Sequence, residues 1–221
     1  MRFAAILISC LVAISSLLVL RVEVTTTSLL RQLREAPVSI GPQKLLPRVW
    51  TFRAAHELTI ECLNAFAPDI QELMPRRLAQ NAFDACLGLA SDSAHSRPSD
   101  GRPWLLRAAL AGYSGDIDAQ LDFLTQAGER APFESWQAER RLVSLLSLPF
   151  DALSADQRQK AHELVISAAE IAQTTQSGAE LLAAYFVRRA HLRPMLSESL
   201  ARALPSDQTR LINLIRIGGD V

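Results

Sequence analysis

Four histidines, three cysteines and three tryptophans are where specific chemistry would first be sought in this 221-residue chain. His56-Glu57 and His162-Glu163 both begin like the zinc-binding pattern H-E-x-x-H. That pattern needs a second histidine one turn later on the same helix face. The position holds Ile60 in one case and Ile166 in the other, so neither is expected to bind metal. His95 stands in a polar stretch, and His191 stands among Arg188, Arg189 and Arg193. Cys10 falls in an apolar run, which leaves Cys62 and Cys86. A turn centred near residue 70 or 71 would set Cys86 roughly 10 Å past the point facing Cys62, at the rise of a helix. A disulfide needs Cα atoms within about 7 Å. This register predicts two buried free thiols, with a disulfide as the alternative in an oxidising periplasm.

Covalent catalysis finds no pattern to rest on. The chain has no G-x-S-x-G elbow, no G-x-G-x-x-G and no P-loop, so neither an enzyme activity nor a cofactor is expected. The candidate contact residues lie instead in two basic clusters and beside one aromatic. Arg140-Arg141 form one cluster, and Arg188, Arg189 and Arg193 the other. Guanidinium groups in such clusters suit an acidic partner, an anionic glycan or lipid headgroups. Trp136, beside Phe133 at the start of a helix, is the candidate exposed anchor, since Trp is favoured at interface hot spots.

Composition narrows the classes further. The chain is 49% hydrophobic and carries 23 basic against 23 acidic residues. That excludes intrinsic disorder, and it argues against nucleic-acid binding, which relies on excess Lys and Arg. Alanine and leucine are abundant while glycine and β-branched residues are few, which favours helix.

Phe3–Leu20 is an apolar run with no charge, ended by Arg21 and Glu23. About 20 helical residues cross a bilayer core, so the run predicts an uncleaved single-pass anchor. Val22-Glu23-Val24 is a poor signal-peptidase site. Leu7-Ile8-Ser9-Cys10 looks like a lipoprotein acylation site, but the apolar run continues ten residues past it. Arg21, Arg31 and Arg34 taken literally favour a cytoplasmic body. A short N-terminal signal-anchor instead leaves the following domain translocated, and the periplasmic side of a bacterial inner membrane is the expected location.

The rest reads as helices separated by turn signals. Residues 1–35 are the anchor and its helical extension, and 36–48 a linker with Pro37, Pro42 and Pro47. Residues 49–221 form the helical body. A helix from Pro47 to about Phe66 is followed by one opened by Pro75, and Ser91–Pro103 is expected to be a polar loop. Further helices are expected over Trp104–Tyr113, Ile117–Arg130, Phe133–Leu146, from Ser154, Leu181–His191, Met195–Ala203 and from Pro205. Apolar residues recur at three and four positions throughout, as in helices that bury one face. The fold expected is all-α, with an N-terminal transmembrane helix followed by an α-solenoid-like array of helical hairpins.

Gly101–Glu134 resembles one tetratricopeptide repeat. Trp104 and Ala108 match its first helix, Gly115-Asp116-Ile117 its turn, Leu121, Leu124 and Ala127 its second helix, and Pro132 its closing proline. Arg107, Ala111 and Gln120 depart from the pattern, standing for a leucine, a tyrosine and an alanine. The resemblance implies a groove for a peptide or protein and no catalysis. Ala131-Pro132-Phe133-Glu134-Ser135-Trp136 with Arg140-Arg141 also looks like anchored helical proteins of bacterial surface-polysaccharide machinery. The expected function is therefore a membrane-anchored scaffold that binds a protein of an envelope complex. The alternatives are an accessory subunit of a membrane enzyme or transporter, and an enzyme acting on a glycan or lipid-linked substrate.

Overall fold

The computed structural model describes residues 52–67 and 76–219, with the single helical positions Ser16 and Val24. The expected anchor, its extension, the proline-rich linker and Trp50 otherwise lie outside the described residues. Among the described residues every regular element is helical, and no helix is long and apolar enough to cross a membrane. The chain divides into two compact units, residues 1–96 and 97–221.

The first unit contains α1 (Phe52–Ala65) and α2 (Arg76–Ser96). They pack through Leu58, Cys62, Phe66, Ala82, Cys86 and Leu89, all buried. Cys62 and Cys86 form a disulfide with Cα atoms 5.8 Å apart, which corrects the expected free thiols. The error lay in the register. The two half-cystines face each other about a midpoint at residue 74, not 70 or 71. Phe66 and Phe83, with ring centroids 6.1 Å apart, keep nearly the same midpoint. The expected polar loop from Ser91 is also corrected, because α2 runs on to Ser96. Ser93 and Ala94 are buried there, and the Ser96 hydroxyl donates to the Asp92 carbonyl (2.8 Å). Small polar side chains that bond back to the helix are compatible with its last turns.

The second unit holds seven α-helices: α3 (Arg102–Ser114), α4 (Ile117–Arg130), α5 (Ser135–Leu146), α6 (Ala155–Ala172), α7 (Gln176–Arg188), α8 (Arg193–Arg202) and α9 (Pro205–Gly219). Local sequence sets their ends. Gly115, at φ 79°, closes α3 in the left-handed region that glycine enters without strain. Asp116 caps α4 by accepting from the Ala119 N–H (3.0 Å). Ser154 and Gln157 form a reciprocal capping box at α6. The Thr175 hydroxyl accepts from the Gly178 N–H and starts α7 five residues before the expected Leu181.

The helices neighbour one another in two rows. α3, α5, α7 and α9 make successive contacts, and so do α4, α6 and α8. The largest contacts within the unit join α3 to α4, α5 to α6, and α7 to α9. Leu106, Leu121, Leu124, Leu142, Leu145, Val165 and Leu182 fill the core, each burial contributing about 1.5–3 kcal/mol. Alanines 108, 127, 138, 161, 168 and 179 are fully buried, and their small size lets helix axes approach. Gln120 is accommodated rather than anomalous. It lies against Gly112, where a methyl group would meet it, and its Nε2 donates to the Ser144 hydroxyl (2.9 Å). α4 and α6 are also tied by polar pairs, Gln157 with Asp118 (2.8 Å) and Lys160 with Asp122.

Candidate interaction surface

The first turns of α3 place Trp104 and Arg107 three residues apart, hence on one face. The Arg107 guanidinium lies 4.9 Å from the Trp104 ring centroid and 5.7 Å from that of Phe123 on α4. Arg130, from the last turn of α4, lies 4.4 Å from the same indole. Its Nε donates to the Pro98 carbonyl (2.7 Å) and its Nη1 to the Gln126 carbonyl (3.1 Å), which fixes the guanidinium. The indole Nε1–H is buried and has no acceptor among the described residues. Trp104, which matches the first helix of the repeat, is a half-exposed member of a cation–aromatic stack. Each such contact is worth about 0.5–1 kcal/mol at an exposed site. The signal was Arg107, the arginine standing where the tetratricopeptide pattern has a leucine.

Residues 131–134 lead from α4 into α5. Ala131 is buried, while Phe133 is 88% exposed. Glu134 turns back and accepts from Gln137 Nε2 (2.6 Å) and from the Trp136 indole N–H (3.2 Å). That tethers Trp136, which is half-buried. The aromatic side chain that stands out from the surface here is Phe133, held out by the turn that follows Pro132.

Arg140 and Arg141 are split by helix geometry. Adjacent residues on a helix point about 100° apart. Arg140 is exposed, whereas Arg141 shares the buried face of Gln137, Ala138, Leu142 and Leu145. The expected surface role of Arg141 is thus corrected: its guanidinium lies against Gly128 of α4, where even a methyl group would collide with Nη1. Burial lowers its pKa from the ordinary arginine value, because desolvation penalises the cation.

The second cluster is also divided. Arg188, Arg189 and His191 are exposed at the end of α7. Arg193 is exposed as well but committed: its Nε donates to the Phe186 carbonyl (2.9 Å) and its Nη2 to the Val187 carbonyl (3.2 Å). It satisfies carbonyls at the C-terminus of α7, where a cation is also favoured by the helix dipole. Arg140 with Arg141, and Arg188 with its neighbours, lie on different helices.

No group of three or more His, Cys, Asp and Glu side chains among the described residues is placed to hold a metal ion. His162 has a structural partner instead, with Nε2 3.2 Å from Glu198 Oε2, which joins α6 to α8 when the imidazole is protonated. The arrangement offers an exposed aromatic, stacked guanidinium groups and exposed cations, the chemistry of contact with another molecule. No protein-family model matches the chain, and neither a curated protein nor a solved structure matches it.

Proposed function

We propose that this protein is a membrane-anchored scaffold of a bacterial envelope complex. The segment Phe3–Leu20 anchors it by a single pass in the inner membrane, and the helical body lies on the periplasmic side. Residues 102–219 act as a tetratricopeptide-like array of hairpins that binds another protein. The observation that carries this reading is the exposed Phe133, presented between two helical hairpins that stack in rows. A large aromatic held out in water between two hairpins suits an anchor for a partner pocket. The Cys62–Cys86 disulfide supports an oxidising compartment. The resemblance of 131–141 to proteins of surface-polysaccharide machinery makes that process the favoured setting. A second reading, an accessory subunit packed permanently on a membrane enzyme or transporter, is favoured by Leu204, Ile212 and Ile217, all exposed at or beside α9.

The test is photo-crosslinking in native membranes, with p-benzoyl-phenylalanine in place of Phe133 or of Ile212, and mass spectrometry of the adducts. The scaffold reading expects a protein adduct from position 133. The accessory-subunit reading expects one from position 212. Absence of protein adducts from both positions would sink both readings.

A further inference from the structure

Arginine is almost never fully buried without a partner, because a lone cation loses its hydration. Arg141 on α5 is only 3% exposed. Its Nε and Nη2 are closed to solvent and have no hydrogen-bond partner among the described residues. These two N–H groups form one edge of the planar guanidinium. That edge matches the two oxygens of a carboxylate, which it can hold bidentately.

The neighbouring carboxylates are engaged elsewhere. Glu134 accepts from Gln137 (2.6 Å) and Trp136 (3.2 Å). Glu139 accepts from the hydroxyls of Thr175 (2.7 Å) and Ser177 (2.8 Å). Glu129 lies 3.9 Å from Arg130. One turn before Arg141, Oε1 of Gln137 is also buried without a donor. Gly128 leaves the space that the guanidinium occupies, since a side chain there would collide with it. The interface is thus shaped around a cation whose pairing edge meets no hydrogen-bond acceptor among the described residues. A leucine of similar bulk would avoid the desolvation that Arg141 suffers, and replacing buried charge by apolar side chains is often neutral or stabilising. An arginine placed here against that trend points to a ligand for its unpaired edge.

We propose that the Nε–Nη2 edge of Arg141 is a receptor for a carboxylate, reached when α5 shifts away from α4 at the Gly128 contact. The shift is required because both nitrogens are shut off from solvent in the closed arrangement. The shared chemistry is a planar carboxylate, supplied either by a small free acid or by an acidic side chain of a partner. This inference does not depend on the scaffold reading.

The test uses the full-length protein in detergent. Thermal unfolding is followed with acetate, with a glutamate-rich peptide, and with chloride at equal ionic strength. In parallel, the Arg141 Nε–H resonance is followed by nitrogen-15 NMR. Acetate or the peptide should raise the unfolding midpoint and move the Nε–H resonance, while chloride does neither. A response to acetate identifies a free acid, and a response to the peptide alone identifies a partner's side chain. Arg141→Leu should abolish the carboxylate response and should melt no lower than the parent in chloride. Arg141→Lys, which keeps the charge but not the fork, should need roughly tenfold more carboxylate for the same shift, the loss of about one good charge-assisted hydrogen bond. An Nε–H resonance that neither acetate nor the peptide moves would overturn the proposal, whether or not the Leu variant folds. A Leu variant that responds to carboxylate like the parent would overturn it as well.

Discussion

Removing the Cys62–Cys86 bridge is the perturbation whose size can be worked most directly. The bridge closes a loop of sequence separation 24. In the chain-entropy account, freeing such a loop returns about 12 cal/mol/K to the unfolded chain, or about 3.5 kcal/mol at room temperature. Whole domains are stable by only about 5–15 kcal/mol. Both half-cystines are buried, as are Leu58 and Phe66 on α1 and Leu89 on α2, so the bridge stands inside the α1–α2 contact, not at its margin. The Cys62→Ala/Cys86→Ala double variant should therefore unfold its first unit at a urea concentration lower by roughly 1.2–3.5 M, for a slope of about 1–3 kcal/mol/M. The assay is pulse proteolysis across a urea series, with fragments mapped by mass. Alkylation of the unfolded parent protein, taken from native membranes, gives the companion result. Without reductant only Cys10 should take the label, and with reductant all three cysteines should. Labelling of Cys62 and Cys86 without reductant would refute the bridge and remove the main support for a periplasmic body. An unchanged midpoint in the double variant would refute the energetic argument instead.

Three other substitutions probe the second unit. Gly178→Ala should destabilise it by about 1–3 kcal/mol, because the added methyl would collide with the Ala172 carbonyl; thermal unfolding checks this. Gly115→Ala should lower stability by about 1–2 kcal/mol although its methyl meets open space, since φ is 79° there; an effect near zero in chemical denaturation would contradict the left-handed cap. Phe133→Ser should leave the unfolding midpoint within about 0.5 kcal/mol of the parent, as expected of an exposed site, while weakening co-purification of the partner. The lowered pKa of Arg141 adds a statement about pH. The unfolded chain holds that proton more tightly than the folded chain, so the charge opposes folding at every pH below the lowered value and is relieved only as pH rises through it.

The helical class, the turn at Gly115-Asp116 and the cap at Ser154 were legible because they depend on nearest neighbours in the chain. Apolar spacing marks a helix face, a glycine permits a left-handed cap, and a serine followed three places later by a glutamine makes a capping box. The buried faces at Leu121, Leu124 and Ala127 followed from the same periodicity. Register between helices did not. The Cys62–Cys86 pairing depends on where two helices meet, and a shift of a few residues in the turn's centre displaces the partners by several ångströms. The role of each arginine was equally a matter of tertiary structure. Arg140 and Arg141 are identical side chains one residue apart, and only the position of α4, with Gly128 in it, decides which meets water and which is enclosed. Arg193 could not be told from Arg188 until the turn at residues 190–192 brought it back to the carbonyls of α7. Sequence alone thus determined which segments are helices and which faces are apolar, since those are local properties. Tertiary structure decided which polar groups are exposed, paired or stranded, since that depends on what another helix brings to within a few ångströms.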